Sequence, residues 1–125
     1  MTQTRPLHDV LSLVEPQLQR LNRELIEDLA PGQRDMLPLI EHVSGFRGKQ
    51  LRPVLTFLSG MAIRGAEHGG VLGDDVVTIA KVVELLHTAT LVHDDVLDSA
   101  SVRRRLATIN QLNGVEVAVL LGDYI

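Results

Sequence analysis

The 125-residue sequence contains no cysteine and no tryptophan, and its only aromatic side chains are two phenylalanines and one tyrosine. Without cysteine, the chain has no disulfide framework and no thiolate that could bind a metal or attack a substrate. The scarcity of rings and the formal net charge of −4 argue against a nucleic-acid-binding protein, which needs stacking platforms and a basic surface.

The sequence also lacks the usual features of secreted and membrane proteins. Asp9 and Glu15 interrupt the N-terminal segment, so it has no apolar core of a signal peptide. No apolar run approaches the ~20 residues that a bilayer-spanning helix needs. We therefore expect a cytoplasmic protein without a transmembrane segment.

Hydrophobic residues make up 45% of the sequence, and their spacing is helical. Recurrence at three and four residues predicts helices over about residues 7–29, 34–43, 53–64, 76–98 and from about 110 to the end. Pro16 indicates a helix start or a kink early in the first of them. Asp74 or Asp75 is predicted to cap the fourth helix. No segment alternates with the period of a strand, so the predicted fold class is all-α, a helical bundle.

The fourth predicted helix contains VVTIAKVVELLHTATLVHDDVLD and ends in an acidic cluster. Asp94 and Asp98 are one turn apart, and His87 lies on nearly the same line two turns earlier. Carboxylates placed in this way repel each other unless they are protonated or a hard cation such as Mg²⁺ bridges them. The alternative is an ordinary solvated helix end, since a carboxylate pair alone is weak evidence for a metal site.

Two basic segments flank this helix in the sequence. The segment GKQLRP, with Lys49 and Arg52, leads into a helix N-terminus, where backbone N–H groups, the helix dipole and arginine suit a phosphate. A run of three arginines, residues 103–105, follows the acidic cluster. Taken alone, the first segment is better explained as a surface turn. The second could be a neighbour that neutralises the cluster, a solvated loop, or a clamp on the anion that the metal would bind. Together, the three segments predict a site for a diphosphate held partly through Mg²⁺.

Three motifs, GKQLRP, ELLHTATLVHDDVLDSASVRRR and the closing GDY, occur in the order and spacing of one protein family. With them the chain resembles the N-terminal part of the trans-isoprenyl diphosphate synthases, the polyprenyl synthetase family, most strongly from Arg47 to Tyr124. The resemblance implies the isoprenoid (terpenoid) synthase fold and a homodimer. It also implies a prenyltransferase that joins isopentenyl diphosphate head to tail to an allylic prenyl diphosphate and releases pyrophosphate.

The resemblance assigns roles to charged residues of all three segments. Asp94 and Asp98, supported by Asp95, would hold Mg²⁺ on the allylic diphosphate. Arg103 would bind the same allylic diphosphate, so Asp94, Asp98 and Arg103 form the implied catalytic set. The residues implied for isopentenyl diphosphate are Lys49, Arg52, His87 and Arg104.

Small side chains precede the acidic cluster and bear on product length. In the family that the chain resembles, bulky residues just before this motif shorten the product. Here Ala89 and Thr90 are small, and the residues before them are the aliphatic Leu86, Val83 and Ile79. The resemblance therefore implies a medium- or long-chain trans-polyprenyl diphosphate.

The chain also departs from the family pattern. The second aspartate-rich motif would lie beyond Ile125, so we expect residues 1–125 to be the N-terminal portion of a polyprenyl synthetase domain, incomplete at its C-terminus and inactive alone. Gln50, Arg105 and Ala107 stand where the family has a basic residue, a glycine and a proline.

Three other functions stay open. The strongest alternative is a non-catalytic or regulatory subunit that pairs with a complete synthase. A His-Asp metal phosphohydrolase built on His93 and Asp94 would need further histidine ligands, and the remaining histidines have no convincing helical register. A class I terpene cyclase shares the acidic helix end, but it needs no second diphosphate site, so the GKQLRP loop argues against it.

Overall fold

The computed structural model describes residues 7–30, 34–64 and 72–125. Its helices are α1 (Leu7–Ser12), α2 (Glu15–Leu29), a 3-10 turn (Arg34–Met36), α3 (Leu37–Ser44), α4 (Leu51–Arg64), α5 (Asp74–Leu97), α6 (Ile109–Asn113) and α7 (Val115–Tyr124). A short antiparallel hairpin, β1 (Val102–Arg103) with β2 (Leu106–Ala107), lies between α5 and α6. The all-α prediction is confirmed; the hairpin escaped it because two-residue strands leave no alternating pattern.

Helix α5 is the centre of the bundle and packs against α2, α4 and α7. With 24 residues and a mean hydropathy of 1.4 in its most apolar window, it is long and apolar enough to cross a membrane by length and composition alone. The core helix of a helical bundle meets the same criterion. The contacts of α5 with three other helices are those of a bundle helix.

Two hydrophobic clusters hold the bundle together, one around each half of α5. The first joins α2, α4 and the N-terminal half of α5, and its members include Leu21, Leu25, Val54, Phe57, Val77 and Ala80. The second joins α3, the C-terminal half of α5, α6 and α7, and its members include Ile40, Phe46, Val92, Ile109 and Leu121. Phe57 is 0% exposed, and burying such a ring contributes about 2–3 kcal/mol. Both halves of α5 are therefore fixed in place.

Two predictions about helix ends were wrong. The N-cap of α5 is Gly73, and Asp74 and Asp75 lie inside the first turn, where Asp75 accepts hydrogen bonds from Arg64. There the carboxylates still interact favourably with the helix dipole. The final helix is divided into α6 and α7 by Gly114, whose φ of 90° is in a region that favours glycine.

Candidate functional site

The loop between α3 and α4 carries the first basic segment and is tied to α2. Gln50 Nε2 donates to Asn22 Oδ1 at 2.7 Å, and Asn22 Nδ2 donates back to Gln50 Oε1 at 3.2 Å. Gln50 has a φ of 51°, a left-handed conformation that turns the chain sharply into α4. Pro53 occupies the first turn of α4, where its missing N–H has no cost. The loop is therefore held in one position relative to the bundle.

This loop forms one wall of a cavity of about 230 Å³, and α5 forms the opposite wall. Lys49, Arg52, His87 and Arg104, which the resemblance groups together, all line this cavity. They come from four separate parts of the chain: the loop, the start of α4, the middle of α5 and the hairpin. Such a concentration of cationic side chains around one hollow favours a polyanionic ligand.

The hairpin brings Arg104 to the cavity through an unusual backbone. Arg104 and Arg105 have φ values of 47° and 67°, and they form the two-residue connection between β1 and β2. Positive φ at both positions is what a tight hairpin turn of type I′ requires, although glycine and asparagine are its usual residues. The Arg104 guanidinium lies against Gly48, where any added Cβ would overlap it. A side chain at position 48 would therefore displace the Arg104 guanidinium from its present place.

The positive charges around the cavity affect the pKa of His87. Burial, followed by the positive charge of Arg52, lowers the pKa of His87 from its usual 6.5. The charges of Arg103 and Arg104 act in the same direction, and the negative charge of Glu84 opposes them. In the free protein at neutral pH, His87 is thus an uncharged hydrogen-bonding group among cations.

Two further charged residues line the cavity and were missed by sequence reasoning. Glu84 is 4% exposed and lies one turn before His87 on α5, and Arg47 precedes Gly48 in the loop. The 4-3-4 spacing of Glu84, Thr88, Leu91 and Asp95 was a usable signal for Glu84, because it places these residues on one face of α5. Arg47 directly precedes the GKQLRP segment and belongs to the same cation-rich loop, but its orientation depends on contacts with Asn22 of α2 and Ser44 of α3.

The acidic cluster at the end of α5 divides into two kinds of carboxylate. Asp95 is 2% exposed, and both of its oxygens accept hydrogen bonds from Arg103 at 2.8 to 3.1 Å. Asp94 and Asp98 are exposed, and neither side chain has a hydrogen-bond or salt-bridge partner among the described residues. Asp95 is thus hydrogen-bonded to Arg103, whereas Asp94 and Asp98, the two predicted metal ligands, are available to a ligand.

The donor set fits a metal ion that is shared with a phosphate. Within residues 7–30, 34–64 and 72–125, no group of three or more His, Cys, Asp or Glu side chains could enclose a metal. Two exposed carboxylates one turn apart are nevertheless sufficient when phosphate oxygens and waters complete the octahedron, which is how proteins commonly hold Mg²⁺. Asp94 and Asp98 could therefore hold Mg²⁺ only together with a bound substrate.

Arg103 connects the acidic end of α5 to the cavity without lining it. The hydrogen bonds that Arg103 donates to Asp95, and then the charges of Asp95, Asp94 and Asp98, raise the pKa of Arg103. The charge of Arg103 in turn lowers the pKa of His87. The carboxylates and the cavity therefore influence each other electrostatically through one arginine, although they are separate surfaces in this structure.

The two histidines nearest to these features hold helices and loops together. His93 Nε2 lies 3.0 Å from Val119 O of α7 and 3.5 Å from Asp123 Oδ1, with its ring against Gly122. His42 Nε2 lies 2.7 Å from Ala107 O of the hairpin. Because both rings bridge packed elements, neither supports the phosphohydrolase alternative.

Sequence comparison places the chain among known proteins. Residues 33–125 match the family model described as polyprenyl synthetase. The chain is 39% identical over 119 residues to solanesyl-diphosphate synthase 2, chloroplastic, of Oryza sativa subsp. japonica, a match that covers 92% of the chain and 28% of that relative. It is 34% identical over 119 residues to octaprenyl diphosphate synthase of Escherichia coli (strain K12), covering 95% and 35%. The chain spans about a third of the length of these curated relatives.

Solved structures share the fold. The heptaprenyl diphosphate synthase from Staphylococcus aureus matches with a TM-score of 0.79 and 25% identity, over 89% of this chain and 34% of that one. The polyprenyl synthase from Caulobacter crescentus CB15, complexed with calcium and isoprenyl diphosphate, matches with a TM-score of 0.76 and 30% identity, over 99% and 36%. With 99% of the chain covered, the second similarity extends across the cavity and the acidic end of α5.

Proposed function

Since the chain belongs to the polyprenyl synthetase family, we propose that it is the N-terminal part of a prenyltransferase. The enzyme would condense isopentenyl diphosphate head to tail with an allylic prenyl diphosphate and release pyrophosphate. The observation that carries this proposal is the single cavity lined by Lys49, Arg52, His87 and Arg104. It offers a diphosphate several charge-assisted hydrogen bonds from groups that are already in place.

In this proposal the cavity binds isopentenyl diphosphate and the exposed end of α5 binds the allylic diphosphate. Asp94 and Asp98 would hold Mg²⁺ against the allylic diphosphate, while Arg103 would donate to the same group. When bound, Mg²⁺ supplies positive charge that offsets the charge developing on the departing pyrophosphate. Asp95 would act by fixing the orientation of Arg103, in keeping with its buried two-oxygen contact.

The proposed product is a medium- or long-chain trans-polyprenyl diphosphate. Relatives named for solanesyl and octaprenyl products support this range. On α5, Ile79, Val82 and Leu86 form an exposed apolar stripe that precedes the acidic end. Replacing Ala89 by Phe, in the active synthase, should shorten the product, because a ring five residues before Asp94 narrows the space for the growing chain. Mass spectrometry of the products measures this, and an unchanged product length would contradict it.

We further propose that the protein works as a homodimer, as the family resemblance implies, and that it is cytoplasmic, as the N-terminal segment interrupted by Asp9 and Glu15 leads us to expect. The serious competitor is a non-catalytic subunit, because the relatives are about three times as long as this chain.

A prenyltransferase assay separates the two possibilities. The 125-residue chain and the same chain joined to the polypeptide encoded downstream of it are each incubated with labelled isopentenyl diphosphate, an allylic diphosphate and Mg²⁺. The catalytic proposal expects no turnover from the first protein and polyprenyl diphosphate from the second. If the joined protein is inactive, yet the chain co-purifies with a complete synthase and alters its activity, the regulatory function replaces the catalytic one.

A further inference from the structure

Arg47 lines the same cavity as Lys49, Arg52, His87 and Arg104 but has no part in the function proposed above. Its Nη1 donates to Asn22 Oδ1 at 3.0 Å, and its Nη2 donates to Ser44 Oγ at 3.1 Å. Both acceptors are neutral. The guanidinium is therefore held in place without its positive charge being neutralised.

This arrangement differs from that of other partly buried cations in the described ranges. Lys81 contacts Asp28, and Arg103 contacts Asp95. The side-chain partners of Arg47 in residues 7–30, 34–64 and 72–125 are Asn22 and Ser44, and neither is an acid. Burial lowers the pKa of the Arg47 guanidinium, and the charge of Glu84, across the cavity, opposes that shift without forming a salt bridge to it. A desolvated cation without a direct counter-charge is costly unless a ligand supplies one.

We propose that Arg47 is a further diphosphate-binding residue of this cavity and that Asn22 is its positioning residue, an inference that rests on the function proposed above. A guanidinium has five N–H donors, and two contacts leave others for a phosphate oxygen. Asn22 is itself fixed, because its amide exchanges hydrogen bonds with Gln50 at 2.7 and 3.2 Å. The Asn22–Gln50 pair therefore sets the direction of Arg47 before any ligand arrives.

Calorimetric titration with inorganic pyrophosphate tests this inference. Arg47→Gln removes the charge and keeps an N–H donor for Asn22, and it should weaken pyrophosphate binding roughly tenfold or more. Arg34→Gln is the matched control, because Arg34 is exposed outside the cavity. That control removes the same charge and should change the affinity by about twofold or less.

A second variant distinguishes binding from a purely structural role. Asn22→Asp places a carboxylate on the Arg47 guanidinium but loses the hydrogen bond that Asn22 Nδ2 donates to Gln50. The thermal unfolding midpoint should therefore change little, while pyrophosphate affinity falls severalfold. In an Arg47→Gln background the same substitution should have much less effect on affinity, since its target is gone. A structural Arg47 predicts instead that neither substitution alters the affinity of the folded protein.

The outcomes separate this inference from the proposed function. If the unsubstituted protein binds pyrophosphate and Arg47→Gln binds it equally well, the role of Arg47 is overturned and the proposed function stands. If the unsubstituted protein does not bind pyrophosphate, both are overturned. Should Arg47→Gln fail to fold, the effect of Asn22→Asp on affinity decides the question.

Discussion

The two halves of α5 carry the same kinds of charged side chain in opposite arrangements. Next to the N-terminal half, Lys81 Nζ contacts Glu24 at 3.0 Å and Asp28 at 2.7 Å, and Arg20 bonds to Glu24 and Asp74. Each of these charges is neutralised by a neighbour. Next to the C-terminal half, the cavity cations of the described chain have no acid within salt-bridge distance, and the carboxylates of Asp94 and Asp98 have no cation.

The pKa shifts in the two regions have opposite causes. Its hydrogen bonds to Asp28 and then Glu24 raise the pKa of Lys81, whereas burial and the charge of Arg52 lower that of His87. Charges that neutralise each other contribute modestly to stability and have little affinity left for a ligand. An excess of positive charge around a hollow, which Glu84 offsets only in part, is unfavourable until an anion arrives. The comparison teaches that a binding site differs from a structural network less in its charge than in having charged side chains without a salt-bridge partner.

The largest expected effect comes from the unpaired carboxylates. In the active synthase, Asp98→Asn should lower kcat/KM about 100-fold or more, because a ligand for the metal that stabilises the leaving pyrophosphate is lost. The free energy of unfolding of the chain should change by less than about 0.5 kcal/mol, since the exposed Asp98 side chain has no described partner. Asp35→Asn, at an exposed carboxylate of the 3-10 turn, is the control. Near-normal turnover by Asp98→Asn would remove Asp98 from the metal site.

The adjacent buried carboxylate should respond in the opposite way. Asp95→Asn leaves Arg103 without its two-oxygen acceptor and should destabilise the chain by about 2–3 kcal/mol in urea unfolding. Two aspartates within four residues would then differ cleanly, one affecting stability and the other affecting turnover. A stability loss for Asp98→Asn equal to that of Asp95→Asn would erase the distinction.

A reciprocal pair of substitutions tests the comparison directly. Lys49→Gln should weaken pyrophosphate binding roughly tenfold with little change in stability, because a charge-assisted bond is lost only in the complex. Lys81→Gln should leave that affinity unchanged and lower the free energy of unfolding by about 1 kcal/mol. Calorimetry gives the pyrophosphate affinity of each variant, and urea unfolding gives its free energy of unfolding. Equal effects of the two lysines on binding would show that general charge, and not the cavity, attracts the anion.

Sequence alone identified the acidic helix end and the basic segments because helical spacing and local chemistry are recorded in consecutive residues. It could not separate Asp95 from Asp94 and Asp98 by charge, since all three carry the same group; burial and the contact with Arg103 make the difference. The break at Gly114 and the hairpin that carries Arg104 depend on backbone conformations that have no period. Arg47 was missed because its role follows from contacts with Asn22, 25 residues away in the chain.

The smallest expected effect concerns pH and the one titratable group of the cavity that changes charge near neutrality. Because the folded-state pKa of His87 lies below its usual 6.5, the unfolded chain binds the proton first as the pH falls through 6.5. The free energy of unfolding should therefore decrease on acidification and level off once the folded His87 is also protonated. His87→Gln, which cannot titrate, should show a shallower decrease in urea unfolding between about pH 7.5 and 5.5.

Bound pyrophosphate should raise the pKa of His87 in the folded protein, because a nearby anion favours the protonated imidazole and offsets the repulsion from Arg52. Stability measured with saturating pyrophosphate should then fall less steeply with pH in the unsubstituted protein than without it. The difference between the two slopes should be smaller in His87→Gln, because only the titration of pyrophosphate itself then changes the stability of the complex with pH. If pyrophosphate changed the slope by the same amount in both proteins, the ligand would not reach His87. The cavity would then resemble the network of paired charges next to the N-terminal half of α5.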